Sequence, residues 1–105
     1  MSREMVYLPE VSRDFVEAFS YYEILSPQAA LHFEEAFGRA ETEVEEGLLT
    51  HQRVFDHYHR VFVGNFPYNL YYRLDGETAV VVGVLYARYS PERIARTLRE
   101  RQTQS

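Results

Sequence analysis

Arginine, tyrosine and histidine are the residue types in this chain that could do chemistry. All eleven basic residues are Arg and none is Lys, and nine tyrosines and four histidines accompany them. The segment PYNLYYRLDGETAVVVGVLYARYSPER, residues 67 to 93, holds five of the tyrosines and three of the arginines inside otherwise apolar runs. A guanidinium is a rigid planar fork that fits phosphate and carboxylate, so arginines gathered on one face suit a polyanion or an acidic partner. Exposed tyrosines could stack single-stranded bases, although tyrosines in a half-buried sheet are also common packing residues.

Other chemistries find less support. His57 and His59 are two apart and His51 is near, but zinc catalysis needs three protein ligands in close geometry. They read as surface or turn histidines, with a general base beside Arg60 as the minor reading. No metal and no cofactor are expected. The serines lack the glycine-flanked elbow of a hydrolase nucleophile, and Gly38, Gly47, Gly64, Gly76 and Gly83 are isolated rather than grouped into a phosphate loop.

Two helices precede any sheet. Val11, Phe15, Ala18, Phe19 and Tyr22 follow the spacing of one buried helical stripe behind a possible Ser12 cap. Ser26-Pro27 starts a second helix whose stripe, Ala30, Phe33, Phe37, Ala40, Val44 and Leu48, runs to about Gly47. Joined this tightly, the two should form an antiparallel hairpin. After residue 50 the period changes to two, and strands are expected over residues 53 to 63, with a break near His57 as an option, 68 to 74, and 78 to 86. MVYL at residues 5 to 8 adds an N-terminal strand.

Asp75-Gly76 reads as a two-residue turn that sets Leu74 opposite Glu77. Alternation then gives a core face with Tyr68, Leu70, Tyr72, Leu74, Ala79, Val81, Gly83 and Leu85, and a wetter face with Asn69, Tyr71, Arg73, Thr78, Val80, Val82, Val84, Tyr86 and Arg88. Ser90-Pro91 opens a last helix with Ile94 and Leu98 as its only large apolar residues, a weak anchor. The expected fold is α+β in a single domain, 1–105: an N-terminal strand and a helix hairpin packed on an antiparallel sheet of three or four strands, with a short C-terminal helix.

At 105 residues and 46% hydrophobic content the chain can build one core. Its longest run of apolar or glycine residues, 79 to 87, is far too short for a membrane helix. MSREMVYL lacks the apolar centre of a signal peptide, and there are no cysteines. A cytoplasmic protein with no membrane partner is therefore expected. Net charge is −5, divided as −8 over residues 1 to 49 and +3 over residues 50 to 105. One face could then attract an acidic partner while the other repels it.

The order of a strand, a helix hairpin and a meander containing RVFVGNFPYNLYYRLDGETAVVVGVLYARYSPER resembles the RelE/ParE superfamily of bacterial toxin-antitoxin and plasmid-stabilisation modules. The resemblance covers almost the whole chain and rests on VSRDFVEAFSYYE, on the Arg60 strand leading to FPYNLYYR, and on the last strand ending in YAR before a Ser-Pro helix start. It implies a toxin neutralised by a cognate antitoxin whose disordered segment folds over it. RelE-like members cut messenger RNA at the ribosome, whereas ParE-like members poison DNA gyrase. Arg60 and, approximately, Arg88 match basic positions of the RelE-like pattern, but Phe62 and Asn69 stand where further basic residues are expected, and no tyrosine follows Tyr89. The ParE-like branch is therefore favoured, with DNA gyrase as the candidate target. Arg60, Tyr71, Arg73, Tyr86, Arg88, Arg93 and Arg96 are the candidate partner contacts, with Arg99 beside them. An mRNA interferase using Arg60, Arg73 and Arg88, with ribosome and mRNA as partners, is one alternative; a non-toxic interaction protein that retains the fold is another. A homodimer is compatible with either.

Overall fold

The computed structural model describes residues 2–47 and 51–104. In chain order the elements are β1 (Glu4–Tyr7), α1 (Glu10–Leu25), α2 (Pro27–Glu46), β2 (Arg53–Phe55), β3 (Tyr58–Phe62), β4 (Tyr68–Asp75), β5 (Thr78–Tyr86) and α3 (Pro91–Gln104). This is the expected α+β arrangement, built on a sheet of five strands in the order β1-β5-β4-β3-β2. The sheet is mixed, because β1 runs parallel to β5 while the other pairs are antiparallel. No helix among the described residues is long and apolar enough to cross a membrane.

α2 begins and ends on its sequence signals. Ser26 has extended backbone and its Oγ accepts a hydrogen bond from the Ala29 N–H at 3.0 Å, Pro27 occupies the first turn, and Gly47 stops the helix with φ 65. That left-handed conformation costs glycine little. Ala30, Phe33, Phe37, Ala40 and Val44 are buried as their spacing requires; Leu48, given to the same stripe, lies outside the described residues. α1 departs from expectation at its start. It begins at Glu10 behind Pro9 with no side-chain cap, so Ser12 lies exposed in the first turn and caps nothing. Phe15 packs against Phe33 and Phe37, and Tyr22 stacks on Phe33 at 5.3 Å, which ties the antiparallel pair together.

The stretch 53 to 63 is two strands. Asp56 adopts φ 46 and, with His57, turns β2 back onto β3; Asp tolerates this left-handed conformation better than most residues. The β4–β5 turn is displaced from its expected place. Gly76, with φ 62, is the first central residue, Glu77 is the second, and Asp75 faces Thr78, with Leu74 facing Ala79. A positive φ at the first position alone is the pattern of a II′ turn.

A bulge then changes which residues share a face. Tyr72 pairs with Val81 but Tyr71 pairs with Gly83, leaving Val82 as the extra residue. Val84 and Tyr86 therefore share the face of Tyr68 and Leu70, under the helix hairpin, whereas Gly83 and Leu85 join Asn69 and Tyr71 on the opposite face. Ring contacts agree: Tyr68 meets Tyr22 and Phe33 on one side and Tyr86 on its own strand pair. α3 covers the second face rather than leaving it wet. Leu98 is fully buried there, and Tyr71, expected to face outward, is 2% exposed.

Candidate functional site

Two grooves flank α3, and the candidate residues divide between them. The first lies between α3 and the β3–β4 part of the sheet, with a volume of about 660 Å³. Its charged lining is Arg60, Arg96 and Arg99 against Glu92 alone. Arg60 reaches it because β3 pairs Arg60 with Tyr71 of β4, setting both on the α3 side. The Arg60 guanidinium donates to Gln52 Oε1 at 2.7 Å and lies 5.2 Å from the Phe62 ring centre. Arg99 pairs with Asp56 at 3.2 Å and lies over Phe55 at 5.3 Å. Buried Asn69 and the edge of Tyr71 form the floor.

The second groove, about 890 Å³, runs between α1, α3 and the end of β5. Arg88, Arg93 and Tyr86 line it, together with Arg13 and four further tyrosines. Tyr89 borders both grooves. Arg73 lines neither. Its backbone pairs with Tyr58 and Val80, and its Nε is enclosed without a hydrogen-bond partner among the described residues. Arg60, Arg73 and Arg88, named together for a nuclease centre, thus occupy three different surroundings.

In the wall of the second groove stands an ion pair that sequence reasoning passed over. Arg101 of α3 donates from Nη1 to Asp14 Oδ2 at 2.5 Å and from Nη2 to Asp14 Oδ1 at 2.8 Å. Asp14 also accepts from the Val84 N–H at 2.9 Å, and Arg101 donates to the Val82 carbonyl at 3.1 Å. The reason lies in the sheet. β1 pairs with β5 only as far as Val81, so beyond it β5 is an edge, and its backbone groups need partners. A carboxylate and a guanidinium supply them where a longer β1 would have. Burial opposes the charge on Arg101, yet hydrogen bonding and attraction to Asp14 outweigh it and push its pKa above the ordinary value. A sequence signal existed: Asp14 falls on the buried stripe of Val11 and Ala18, and Arg101 on that of Ile94 and Leu98, so two opposite charges occupy inward positions.

His51, His57 and His59 line one shallow groove beside β2, and His59 Nδ1 lies 3.1 Å from the His51 carbonyl, but their rings have different partners. His57 sits in the β2–β3 turn and hydrogen-bonds Gln102 at 3.2 Å, whereas His59 stacks on Tyr72 at 5.2 Å. His51 Nδ1 meets the Tyr72 hydroxyl at 2.8 Å, with Glu43 3.4 Å from the other ring nitrogen. Burial raises the Tyr72 pKa, partly offset by the positive charge of Arg3. Among the described residues no three His, Cys, Asp or Glu side chains are grouped to hold a metal ion. The chain matches no family model and no curated protein.

Proposed function

We propose that this chain is the toxin of a bacterial toxin-antitoxin, plasmid-stabilisation module, ParE-like in acting by binding a cytoplasmic protein target such as DNA gyrase. A cognate antitoxin neutralises it by covering the toxin surface. The observation that carries a binding role over a catalytic one is the separation of the arginines. Metal-free phosphodiester cleavage needs cationic and acid-base groups converging on one phosphate. Arg60 and Arg88 line different grooves, and Arg73 lines neither. The groove beside α3 has instead the make-up of a contact surface, with arginines at its rim and an aromatic and aliphatic floor. Charge supports the same reading. α1 and α2 carry ten acids against two arginines, 2 − 10 = −8, while α3 carries four arginines against two acids, 4 − 2 = +2. An acidic partner is thereby drawn to the α3 side.

Induced expression in bacteria should arrest growth, with relief when the adjacent reading frame is co-expressed. Arrest with inhibited supercoiling and DNA-damage filamentation supports gyrase as the target. Codon-specific message cleavage would replace this reading with an mRNA interferase, and unharmed cells would leave an interaction protein. Arg60→Ala with Arg96→Ala should weaken toxicity or antitoxin affinity while leaving the fold intact. Unchanged toxicity and binding would remove this groove from the site.

A further inference from the structure

The groove between α1, α3 and the end of β5 holds Tyr86, Arg88 and Arg93, and it is separate from the Arg60 groove on which that reading rests. Its wall is a chain of tyrosine rings in edge contact: Tyr21 with Tyr22 at 5.1 Å, Tyr22 with Tyr68 at 6.2 Å, Tyr68 with Tyr86 at 5.7 Å and Tyr86 with Tyr89 at 5.5 Å. The Arg93 guanidinium continues the series, 3.6 Å from the Tyr89 ring centre. All five rings line the same groove. Burial raises the pKa of Tyr68, and the nearby phenols of Tyr89, Tyr86 and Tyr21 raise it further; Tyr22 is raised by burial and then by Tyr68, Tyr21 and Tyr86. None of the five hydroxyls has a hydrogen-bond partner among the described residues, and none of them is sealed from water. Phenols that open onto a groove without a protein partner can donate to the oxygens of a ligand there.

Cations surround them. Among the described residues Arg13 and Arg88 are exposed and form no ion pair, and the Arg93 guanidinium only stacks. Arg101 is neutralised by Asp14, so Glu17 is the one other acid in the lining. In a chain of net charge −5 this groove is locally positive. A bare inorganic anion would use the arginines and leave the ring wall idle. An acidic peptide would satisfy the arginines and offer carboxylate and carbonyl oxygens to the phenols, but it brings no flat ring to lie against the aromatic wall. A phosphate carried on a sugar and a flat base uses all three features: guanidinium forks take the phosphate, phenols donate to ribose and phosphate oxygens, and rings stack on the base. The volume lies within the range of about 300 to 1,000 Å³ common for small-molecule sites. We infer that this groove is a binding site for a nucleoside phosphate, held by Arg88 and Arg93 on its phosphate and by the tyrosine wall on its base and sugar.

Isothermal titration of the full chain with adenosine 5′-monophosphate, adenosine, inorganic phosphate and a glutamate-rich peptide tests it. The monophosphate should bind roughly tenfold or more tightly than either adenosine or phosphate. Arg88→Ala combined with Arg93→Ala, both exposed positions, should weaken it by a similar factor, roughly tenfold. Tyr68→Phe, which removes a hydroxyl and keeps the ring, should weaken it a few-fold with an unchanged circular dichroism spectrum. No binding of the monophosphate at millimolar concentration, equal affinity for inorganic phosphate, preference for the acidic peptide, or indifference to the arginine changes would each overturn the site. Growth arrest and the Arg60 and Arg96 variants do not enter this measurement, so its failure and that of the toxin reading are told apart.

Discussion

The two faces of the sheet are held by different physics. Under the helix hairpin, Phe15, Phe33, Phe37 and Tyr22 interlock with Phe66 and Tyr68, and small residues Ala30, Ala36 and Ala40 let the backbones approach. Apolar burial fixes that face, and no single polar contact is essential to it. On the other face α3 brings only Ile94 and Leu98, and its position is set by polar contacts: Arg101 reaching Asp14 around the free edge of β5, Arg99 on Asp56, and Gln102 on Tyr58 and His57. A helix with so small an apolar stripe would be marginal by itself. These polar contacts, of which the buried pair is the most enclosed, therefore determine where α3 lies, and with it the width of both grooves.

Substitutions can break this contrast. The largest expected effect is from Phe33→Ala, which opens a cavity at a fully buried ring touching four others. Loss of about 3 to 5 kcal/mol in urea unfolding is expected; a loss below 1 kcal/mol would mean that the hairpin face is not the main core. Asp14→Ala should follow at about 3 kcal/mol, since breaking a buried pair leaves a guanidinium without its carboxylate and the Val84 N–H unpartnered. Its signature is regional: amide exchange should quicken throughout α3 before the hairpin responds. Uniform loss of protection would show that the pair supports the whole fold rather than one helix.

Gly83→Ala isolates the same contact from the strand side. A Cβ there would lie 2.8 Å from Arg101 Nη1 and 3.4 Å from both Asp14 Oδ2 and Leu98 Cδ2. Free guanidinium groups move aside cheaply, but this one is pinned at both nitrogens. A cost of about 1 to 2 kcal/mol is expected, falling toward zero in an Arg101→Ala background. An undiminished cost in that background would assign the strain to Leu98 or the backbone.

How much of this was legible follows from which signals are local. α2 was readable end to end because Ser26, Pro27 and Gly47 are backbone signals that act within a few residues. The Asp75-Gly76 pair marked a turn correctly but not its centre, because a lone glycine with positive φ fits either central position and the choice between turn types rests on strand twist. The bulge at Val82 carries no composition mark, since it arises where β1 stops and Asp14 takes over the edge. That one residue moved Val84 and Tyr86 across the sheet. For the candidate site, the residue types were legible and their grouping was not: Arg60 is on a predicted strand and Arg88 just past the end of another, yet the position of α3 assigns them to different grooves. Tyr71 was read as outward because alternation alone cannot reveal that a second layer covers its face.

The smallest expected effect offers the finest comparison, because both faces contain the same cap. Ser26 Oγ accepts from Ala29 N–H at 3.0 Å and Ser90 Oγ from Arg93 N–H at 3.1 Å, each followed by a proline. Replacing either by Ala removes one N-terminal hydrogen bond, worth about 1 kcal/mol of helix stability. If the faces are held as argued, the same chemical loss is read differently. Ser26→Ala should lower the global unfolding midpoint, because α2 cannot fray without opening the aromatic core. Ser90→Ala should speed amide exchange in the first turns of α3 and leave the midpoint nearly unchanged, because that helix can loosen at its start while Arg101 still holds its end. Equal midpoint shifts from the two would mean that α3 is as integral to the cooperative unit as α2, and that the polar pair adds nothing distinctive.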